Sequence, residues 1–246
     1  MSYNWNWAVF SQPSATGDGS TYLGWMLAGL KTTVALSLSA WVLALLLGCI
    51  VGILRTAPRK WLSVPATAYV ELLRNVPLLV QLFIWYFVMP ELLPTAWGDW
   101  IKQLPPAAQQ FGAAWVCLGL FTSARVAEQV RSGIASLPRG QTNAGLAMGF
   151  TLPQVYRLVL LPMALRLVVP PLTSEFLNIF KNSAVCSTIG LLELAAQGRQ
   201  LVDYTAQPYE AFIAVTLAYV LINLLVLAGM RWLEQRVRVP GYLGGH

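Results

Sequence analysis

The chain has 246 residues, of which 57% are hydrophobic and only 11% are charged, and its net charge is +6. A soluble domain carries about a quarter charged residues, so this composition argues against a soluble protein. Apolar runs of about 20 residues, the length that crosses a hydrocarbon core of about 30 Å, predict an all-α, polytopic membrane protein.

The N-terminal segment, residues 1–21, is predicted to be periplasmic or interfacial. It contains Trp5 and Trp7, whose indole rings suit a membrane surface where one end of the ring is wet. The first apolar run lies too far from the N-terminus and is too long for a cleaved signal peptide, so we expect the N-terminus to be retained.

Five apolar segments are predicted to be transmembrane helices. Their approximate bounds are 22–54, 65–88, 111–134, 155–180 and 209–233. The cysteines Cys49, Cys117 and Cys186 are isolated, with no CxxC spacing and no histidine beside them, which argues against a disulfide or a metal site.

Charge predicts the orientation of these segments. Basic residues follow the first span, separate the third from the fourth, and follow the fifth: Arg55, Arg59, Lys60, Arg131, Arg139, Arg157, Arg231, Arg236 and Arg238. Acidic residues predominate at the other ends: Asp18, Glu91, Asp99, Glu193, Asp203 and Glu210. By the positive-inside rule the basic ends are cytoplasmic, so the N-terminus is periplasmic and a tail at 239–246 is cytoplasmic. The basic excess is therefore a topology signal and does not indicate nucleic-acid binding.

The second predicted span contains polar residues and a helix breaker. Glu71 and Arg74 are three residues apart near its cytoplasmic start, so we expect them to pair or to reach the interface. The run Asn75, Val76, Pro77 is predicted to interrupt the helix, because proline frees a backbone carbonyl. Exposed backbone at this depth is tolerated where it lines a cavity, with Gln81 one turn further on.

The third predicted span places Thr122, Arg125, Glu128 and Gln129 on one helical side. Two interpretations remain open for Arg125. It pairs with Glu128, since the spacing allows this, or its guanidinium fork binds a carboxylate ligand in bidentate fashion.

The loop between the third and fourth spans, about 139–154, is predicted to contain a short helix at 141–148. Gly149 ends it by adopting positive φ. Its small residues favour either an ordinary loop helix or a helix that lies closely in a groove on a partner. The fourth span then places Glu175, Asn178 and Lys181 in a second polar stripe.

The spacing from Asn143 to Pro162 reads NAG, three residues, G, nine residues, V, one residue, LP. It resembles the loop of ABC importer permeases, which reads EAA, three residues, G, nine residues, I, one residue, LP. The chain departs from that pattern at Asn143 and Gly145. The segments VELLRNVPLLVQLFIWYFVMP (70–90) and LPMALRLVVPPLTSEFLNIFKNSAVCSTIG (161–190) resemble the second-span and fourth-span blocks of polar amino acid permeases of the histidine/glutamine/arginine type, closest to the glutamate/aspartate branch. The resemblance covers most of residues 22–240.

This resemblance implies a type I ABC importer permease fold, with residues 22–238 as the transmembrane permease domain and the loop helix as a coupling helix. It implies an ABC ATPase dimer, a second permease subunit that is identical or homologous, and a periplasmic substrate-binding protein in a bacterial inner membrane. The coupling residues would be Asn143, Ala144, Gly145, Met148, Gly149 and Leu152. The sequence lacks the nucleotide-binding pattern GxxxxGK[ST], so ATP and Mg are expected on the ATPase, and this chain is expected to have no catalytic residues, cofactor or metal.

The resemblance also implies a site for a polar, acidic amino acid. Glu175 would neutralise the substrate's α-ammonium and Arg125 would take a carboxylate. Neutral partners would be Thr122, Ser123 and Asn178, and further pathway residues would be Glu128, Gln81 and Asn75. An alternative is that Glu175 pairs with Arg125 across a dimer cavity and closes a gate.

Rival functions remain. One is a permease for glutamine, asparagine, histidine or arginine. Another is an ion-coupled secondary transporter with Glu128 and Glu175 as ion sites, although such carriers usually show more spans and inverted repeats. A membrane enzyme would need a convergent set of catalytic groups, and the single histidine is the last residue. An exporter or a structural membrane subunit is the last alternative.

Overall fold

The computed structural model describes residues 3–17 and 19–237. Asp18, Arg238 and the predicted tail at 239–246 lie outside the described residues, and the predicted division of the chain at residues 22 and 238 stays a prediction.

The described residues are mainly helical, and the only strand-like feature recorded among them is an isolated bridge between Pro13 and Thr21. In chain order the helices are α1 (Tyr22–Thr56), α2 (Lys60–Asn75), α3 (Leu78–Phe83), α4 (Met89–Leu92), α5 (Thr95–Gln103), α6 (Pro106–Ala135), α7 (Arg139–Ala147), α8 (Leu152–Val155), α9 (Leu161–Ser183), α10 (Leu194–Thr205) and α11 (Pro208–Val237). Turns of π-helix lie at Ile84–Val88 and Tyr156–Leu160, and turns of 3₁₀-helix at Trp7–Ser11 and Ala184–Ile189. The all-α prediction is confirmed.

Three helical stretches are long and apolar enough to cross a membrane: Tyr22–Thr56, Leu152–Ile189 and Pro208–Arg236. They correspond to the first, fourth and fifth predicted spans. The second predicted span is a broken pair, Lys60–Asn75 and Leu78–Leu92, which meets the same test only when its halves are taken together. The break predicted at Asn75–Pro77 is therefore confirmed.

The third predicted span forms α6, a helix of 30 residues. It is long enough to cross a bilayer but is not among the helices apolar enough to do so by composition. Its C-terminal half carries Arg125, Glu128 and Arg131 within two turns. That α6 spans the membrane stays a prediction.

The chain divides into two compact units whose limits fall inside α1, α6, α9 and α11 and at the break after α2. The first unit comprises residues up to Val42, Val76–Gly119 and Asn178–Leu224. The second comprises Leu43–Asn75, Leu120–Leu177 and the residues from Leu225 onward.

In the first unit, a fully buried carboxylate fixes the start of α10. Glu193 accepts hydrogen bonds from the Ala196 N–H at 2.7 Å and from the Tyr219 hydroxyl at 2.8 Å. Thr33 of α1 accepts the Leu194 N–H at 3.1 Å. These bonds satisfy polar groups that would otherwise cost free energy inside the fold.

The N-terminal segment of the first unit is tied to the start of α11. The Tyr3 hydroxyl and the Asn6 N–H both donate to the Glu210 carboxylate, at 2.5 and 2.6 Å. Burial and the hydrogen bond to Glu210 raise the pKa of Tyr3 to about 12. Trp5 and Trp7 stack with their ring centroids 5.8 Å apart and remain half exposed. Their position at a membrane interface stays a prediction.

In the second unit, two glycines bring α1 against α6. A Cβ atom added at Gly48 would lie 2.6 Å from Val126 Cβ, and one at Gly52 would lie 2.7 Å from Val130 Cβ. Only hydrogen fits at these positions, so the two helices approach as closely as in small-residue helix pairs of membranes. The spacing Gly48 to Gly52 is the signal in the sequence that would have predicted this contact.

Candidate functional site

The loop helix α7 occupies Arg139–Ala147, two residues earlier than predicted at its start and one at its end. Gly149 has φ of +84°, as predicted. The Gly149 N–H donates to the Leu146 carbonyl at 3.0 Å and the Phe150 N–H to the Gly145 carbonyl at 3.1 Å. This pair of bonds is the Schellman ending of a helix. One residue later, the Thr151 N–H donates to Gln154 Oε1 at 2.7 Å and begins α8.

The surface of α7 differs from the expected small-residue face. Gly145 is buried, and a Cβ atom added there would lie 2.9 Å from Val155 Cγ2, so this glycine packs on its own chain. The outward side carries Leu146, 45% exposed, and Met148, 68% exposed. Asn143, Ala144 and Gly149 are also exposed, whereas Leu152 is half buried. The large exposed apolar side chains of α7 are therefore Met148, which belongs to the predicted coupling set, and Leu146, which does not.

Glu128 on α6 is bound by arginines from three helices. Its Oε2 lies 2.5 Å from Arg55 Nη1 and 3.5 Å from Arg74 Nη1, and its Oε1 lies 2.5 Å from Arg131 Nη2. Of the two interpretations left open for Arg125, pairing with Glu128 is not found among the described residues. Arg74 lies within ion-pair distance of Glu128. The pairs with Arg55 and Arg74 join residues that are far apart in sequence, which helical periodicity does not reveal, whereas Arg131 lies one turn from Glu128 on the same helix.

Ser123 and Thr122 are buried inside the second unit, at 0% and 2% exposure. The Ser123 hydroxyl lies 2.6 Å from the Tyr69 hydroxyl and donates to the Leu120 carbonyl at 2.7 Å. These bonds join α2 to α6 beside a small apolar cluster of Val70, Ala124 and Ala127. Ser123 therefore acts in packing between the helices.

Arg125 points away from that packing. Its side chain is exposed and its guanidinium carbon lies 4.7 Å from the centroid of the Phe121 ring. Within the described residues, no carboxylate lies within ion-pair distance of Arg125. In the same unit, Glu175 on α9 is buried, with 9% of its surface exposed.

The remaining predicted pathway residues have local roles. Asn75 at the end of α2 is exposed and lies 3.5 Å from Glu71 Oε2. Gln81 belongs to the first unit, is buried, and donates to the Val76 carbonyl at 2.9 Å. It thus satisfies a backbone group exposed by the helix break. Asn178 also belongs to the first unit and is half buried on α9.

A cavity of about 340 Å³ opens in the second unit beside α7. It is lined by Arg55, Thr56, Arg131, Ile134, Ala135, Leu137, Arg139, Thr142, Tyr156 and Leu160. In the sequence its arginines indicate only the orientation of the chain. Across the described ranges, no group of three or more histidine, cysteine, aspartate or glutamate side chains is arranged to hold a metal ion.

Residues 44–239 match the family described as "Binding-protein-dependent transport system inner membrane component". The chain is 56% identical over 246 residues to the glutamate/aspartate import permease protein GltJ of Escherichia coli K12, covering all of both chains. It is 34% identical over 212 residues to the probable glutamine ABC transporter permease protein GlnM of Bacillus subtilis, covering 85% of this chain and 91% of that one.

A solved structure shares the fold. It is described as an amino acid ABC transporter with histidines, and it superposes with a TM-score of 0.72 at 27% identity. The match covers 87% of this chain and 95% of the other. The predicted permease fold is therefore confirmed.

Proposed function

The chain belongs to the family of binding-protein-dependent transport system inner membrane components, and we propose that it imports glutamate and aspartate in an ATP-driven complex. The observation that carries this proposal is the 56% identity, without a gap in coverage, to a glutamate/aspartate import permease. As a permease of this family it is a multi-pass protein of the bacterial inner membrane, and it is a transport subunit rather than an enzyme.

The partners follow from this role. An importer of this family works with an ATPase and a substrate-binding protein. In our proposal the complex holds two permease subunits, identical or homologous, above an ATPase dimer that binds ATP and Mg. The N-terminus faces the periplasm, where the binding protein delivers substrate, and the C-terminus faces the cytoplasm. The arginine-rich ends of α1 and α6 support this orientation.

The contact with the ATPase would be made by α7. Its exposed apolar side chains Leu146 and Met148 suit a partner's groove, because burying apolar surface at an interface lowers the free energy of the complex. Asn143 and Ala144 lie exposed on the same short helix. Asn143 stands where the family pattern has glutamate, so it offers an amide hydrogen bond where a charge would otherwise be.

The substrate contact would be made by Arg125, with Glu175 as the counter-charge for the α-ammonium. Arg125 has an exposed guanidinium with no carboxylate partner among the described residues, which leaves its fork available to a ligand. Its contact with Phe121 limits the positions it adopts. Thr122 would be a neutral hydrogen-bonding partner of the substrate. Ser123 and Glu128 would support the site indirectly, through their bonds to neighbouring helices.

The proposed cycle is alternating access. Binding of ATP closes the ATPase dimer, moves α7 and opens the pathway to the periplasm. Hydrolysis and release return it to the cytoplasmic-facing state. The permease makes and breaks no covalent bond. Its contribution is to make Arg125 accessible first from the periplasm and then from the cytoplasm.

Reconstitution tests the proposal. The chain would be assembled with its ATPase and binding protein in proteoliposomes, and uptake of radiolabelled glutamate would be measured with and without internal ATP. We expect ATP-dependent uptake that unlabelled aspartate suppresses more strongly than glutamine. Stronger suppression by glutamine would assign the permease to amides. Uptake driven by a sodium or proton gradient without ATP would instead support a secondary transporter.

A further inference from the structure

The cavity beside α7 has the size of a small-molecule site, and none of the residues assigned above to substrate or ATPase contact lines it. Its volume of about 340 Å³ lies at the lower end of the range of about 300–1,000 Å³ found for small-molecule pockets. Its walls come from the last turns of α1 and α6, the start of α7, and the π-helical turn at Tyr156–Leu160. All of these segments belong to the second unit.

The charge of the cavity wall is positive. Arg55, Arg131 and Arg139 line it, and its described lining contains no acidic side chain. The adjacent carboxylate, Glu128, is shared by Arg55, Arg131 and Arg74. Three arginines therefore share one glutamate, and Arg139 adds a further positive charge to the cavity wall. This leaves an excess of positive charge that an anion would neutralise.

A buried donor also lacks a partner there. The side chain of Arg55 is 7% exposed. Its Nη1 donates to Glu128, but its Nε is buried and has no hydrogen-bond partner in the described part of the chain. A buried donor left without a partner costs free energy, so such a group commonly marks a place for a ligand or an ion.

The start of α7 adds a third feature. Arg139 is the first residue of this nine-residue helix, and Pro138 before it provides no side-chain cap. The first N–H groups of a helix carry partial positive charge and bind anions readily. Arg139 and Thr142, both in the first turn, line the cavity.

We propose that this cavity binds a phosphate group. A guanidinium presents two parallel donors that match phosphate oxygens, and three arginines around one space favour a tetrahedral, multiply charged anion over a single carboxylate. The phosphate is that of an anionic phospholipid headgroup or free phosphate from the cytoplasm. Because Arg139 belongs to α7 while Arg55 and Arg131 belong to α1 and α6, a bound phosphate ties the loop helix to the ends of both.

The test uses the full chain with an Arg139→Gln variant and an Arg157→Gln control. Arg139 forms no ion pair among the described residues, so its replacement leaves the Glu128 cluster intact. Arg157 is also an exposed arginine of the same unit, and it does not line the cavity. An Arg139→Lys variant keeps the charge but removes the fork, and should fall between wild type and Arg139→Gln.

Two arms separate the sources of the phosphate. In the first, inorganic phosphate is titrated at constant ionic strength, and binding is measured by calorimetry and by the shift in Tm. In the second, the protein is placed in nanodiscs of phosphatidylcholine with or without phosphatidylglycerol, and the retained lipid is measured by native mass spectrometry. We expect saturable binding in at least one arm and about tenfold weaker binding by Arg139→Gln, with Arg157→Gln like wild type.

The arm that gives binding identifies the source. Absence of binding in both arms overturns the proposal, and so does equal weakening by Arg139→Gln and Arg157→Gln, which would indicate general surface charge. Because the readout is binding to the permease alone, the proposal stands or falls independently of the amino acid that the complex transports.

Discussion

Arg125 and Glu128 lie one helical turn apart on α6, yet they do not pair. The Glu128 carboxylate is held by Arg55, Arg74 and Arg131, while Arg125 lies over the Phe121 ring at 4.7 Å. The two residues share a helix face but differ in role. Glu128 belongs to a cluster that joins helices, whereas Arg125 is an exposed cation.

Replacing Arg125 with Tyr is expected to reduce glutamate uptake by the reconstituted complex. Loss of a charge-assisted, bidentate contact weakens interaction with a carboxylate by about tenfold or more, so kcat/KM for uptake should fall by that factor. Arg125→Lys keeps the charge without the fork and should be intermediate. Because the residue is exposed, Tm should not change. Undiminished glutamate transport by Arg125→Tyr would remove Arg125 from the substrate pathway.

Replacing Glu128 with Gln is expected to destabilise the permease. The change leaves three guanidinium groups without their shared carboxylate, and the loss of these charge-assisted bonds should cost about 1–3 kcal/mol. The measurement is the Tm of the purified chain in detergent. The double variant Glu128→Gln with Arg55→Met should recover part of this loss, since it also removes the least exposed of the unpaired charges. An unchanged Tm with lower uptake would instead place Glu128 in the transport pathway.

Replacing Met148 with Asp is expected to weaken binding of the ATPase without affecting folding. Met148 is 68% exposed at the end of α7, so a charge there is compatible with the free permease but unfavourable in an apolar groove. Affinity for the ATPase, measured by surface plasmon resonance, should fall by about tenfold. ATPase stimulation should fall in parallel.

Gly145→Trp gives the contrasting result for α7. Its side chain would meet Val155 within its own chain, so it should lower Tm as well as coupling. A Gly145→Trp variant with wild-type Tm and selective loss of ATPase binding would show that this glycine faces the partner after all.

Replacing Gly48 with Ala is expected to separate α1 from α6. The new Cβ atom would lie 2.6 Å from Val126 Cβ, so a helix must shift, at a cost of about 1–3 kcal/mol. Gly112→Ala is the matched control, because a Cβ atom there meets nothing within 4 Å. Since alanine is favoured over glycine inside helices by about 1 kcal/mol, the control should be neutral or stabilising. Chemical denaturation of both variants would measure the difference, and equal effects would contradict the close contact.

Local chemistry in the sequence predicted several features correctly. The helix break at Asn75–Pro77 follows from proline, and the positive φ of Gly149 follows from its place at the end of a short helix. The apolar lengths of α1, α9 and α11 predicted three spans. Each of these features depends on residues close together in the chain.

Long-range contacts were not predictable in the same way. Arg55 and Glu128 are separated by 73 positions, and nothing in the periodicity of either helix indicates that they meet. The orientation of α7 was also missed, because its small residues fit both an inward and an outward face. The contact between Gly145 and Val155 shows that the Gly145 face of α7 points inward. This contact depends on how the chain turns after Gly149.

That turn has a mechanical consequence. Hydrogen bonds to the Gly145 and Leu146 carbonyls end α7, and the bond from the Thr151 N–H begins α8, so the short segment between the two helices is held by backbone hydrogen bonds. We therefore expect a displacement of α7 to be passed on to the π-helical turn at Tyr156–Leu160, where the helix carries an extra residue in its winding. Such turns are frequent at functional sites, so we expect this turn, at the base of α9, to be the place where the helix changes its path.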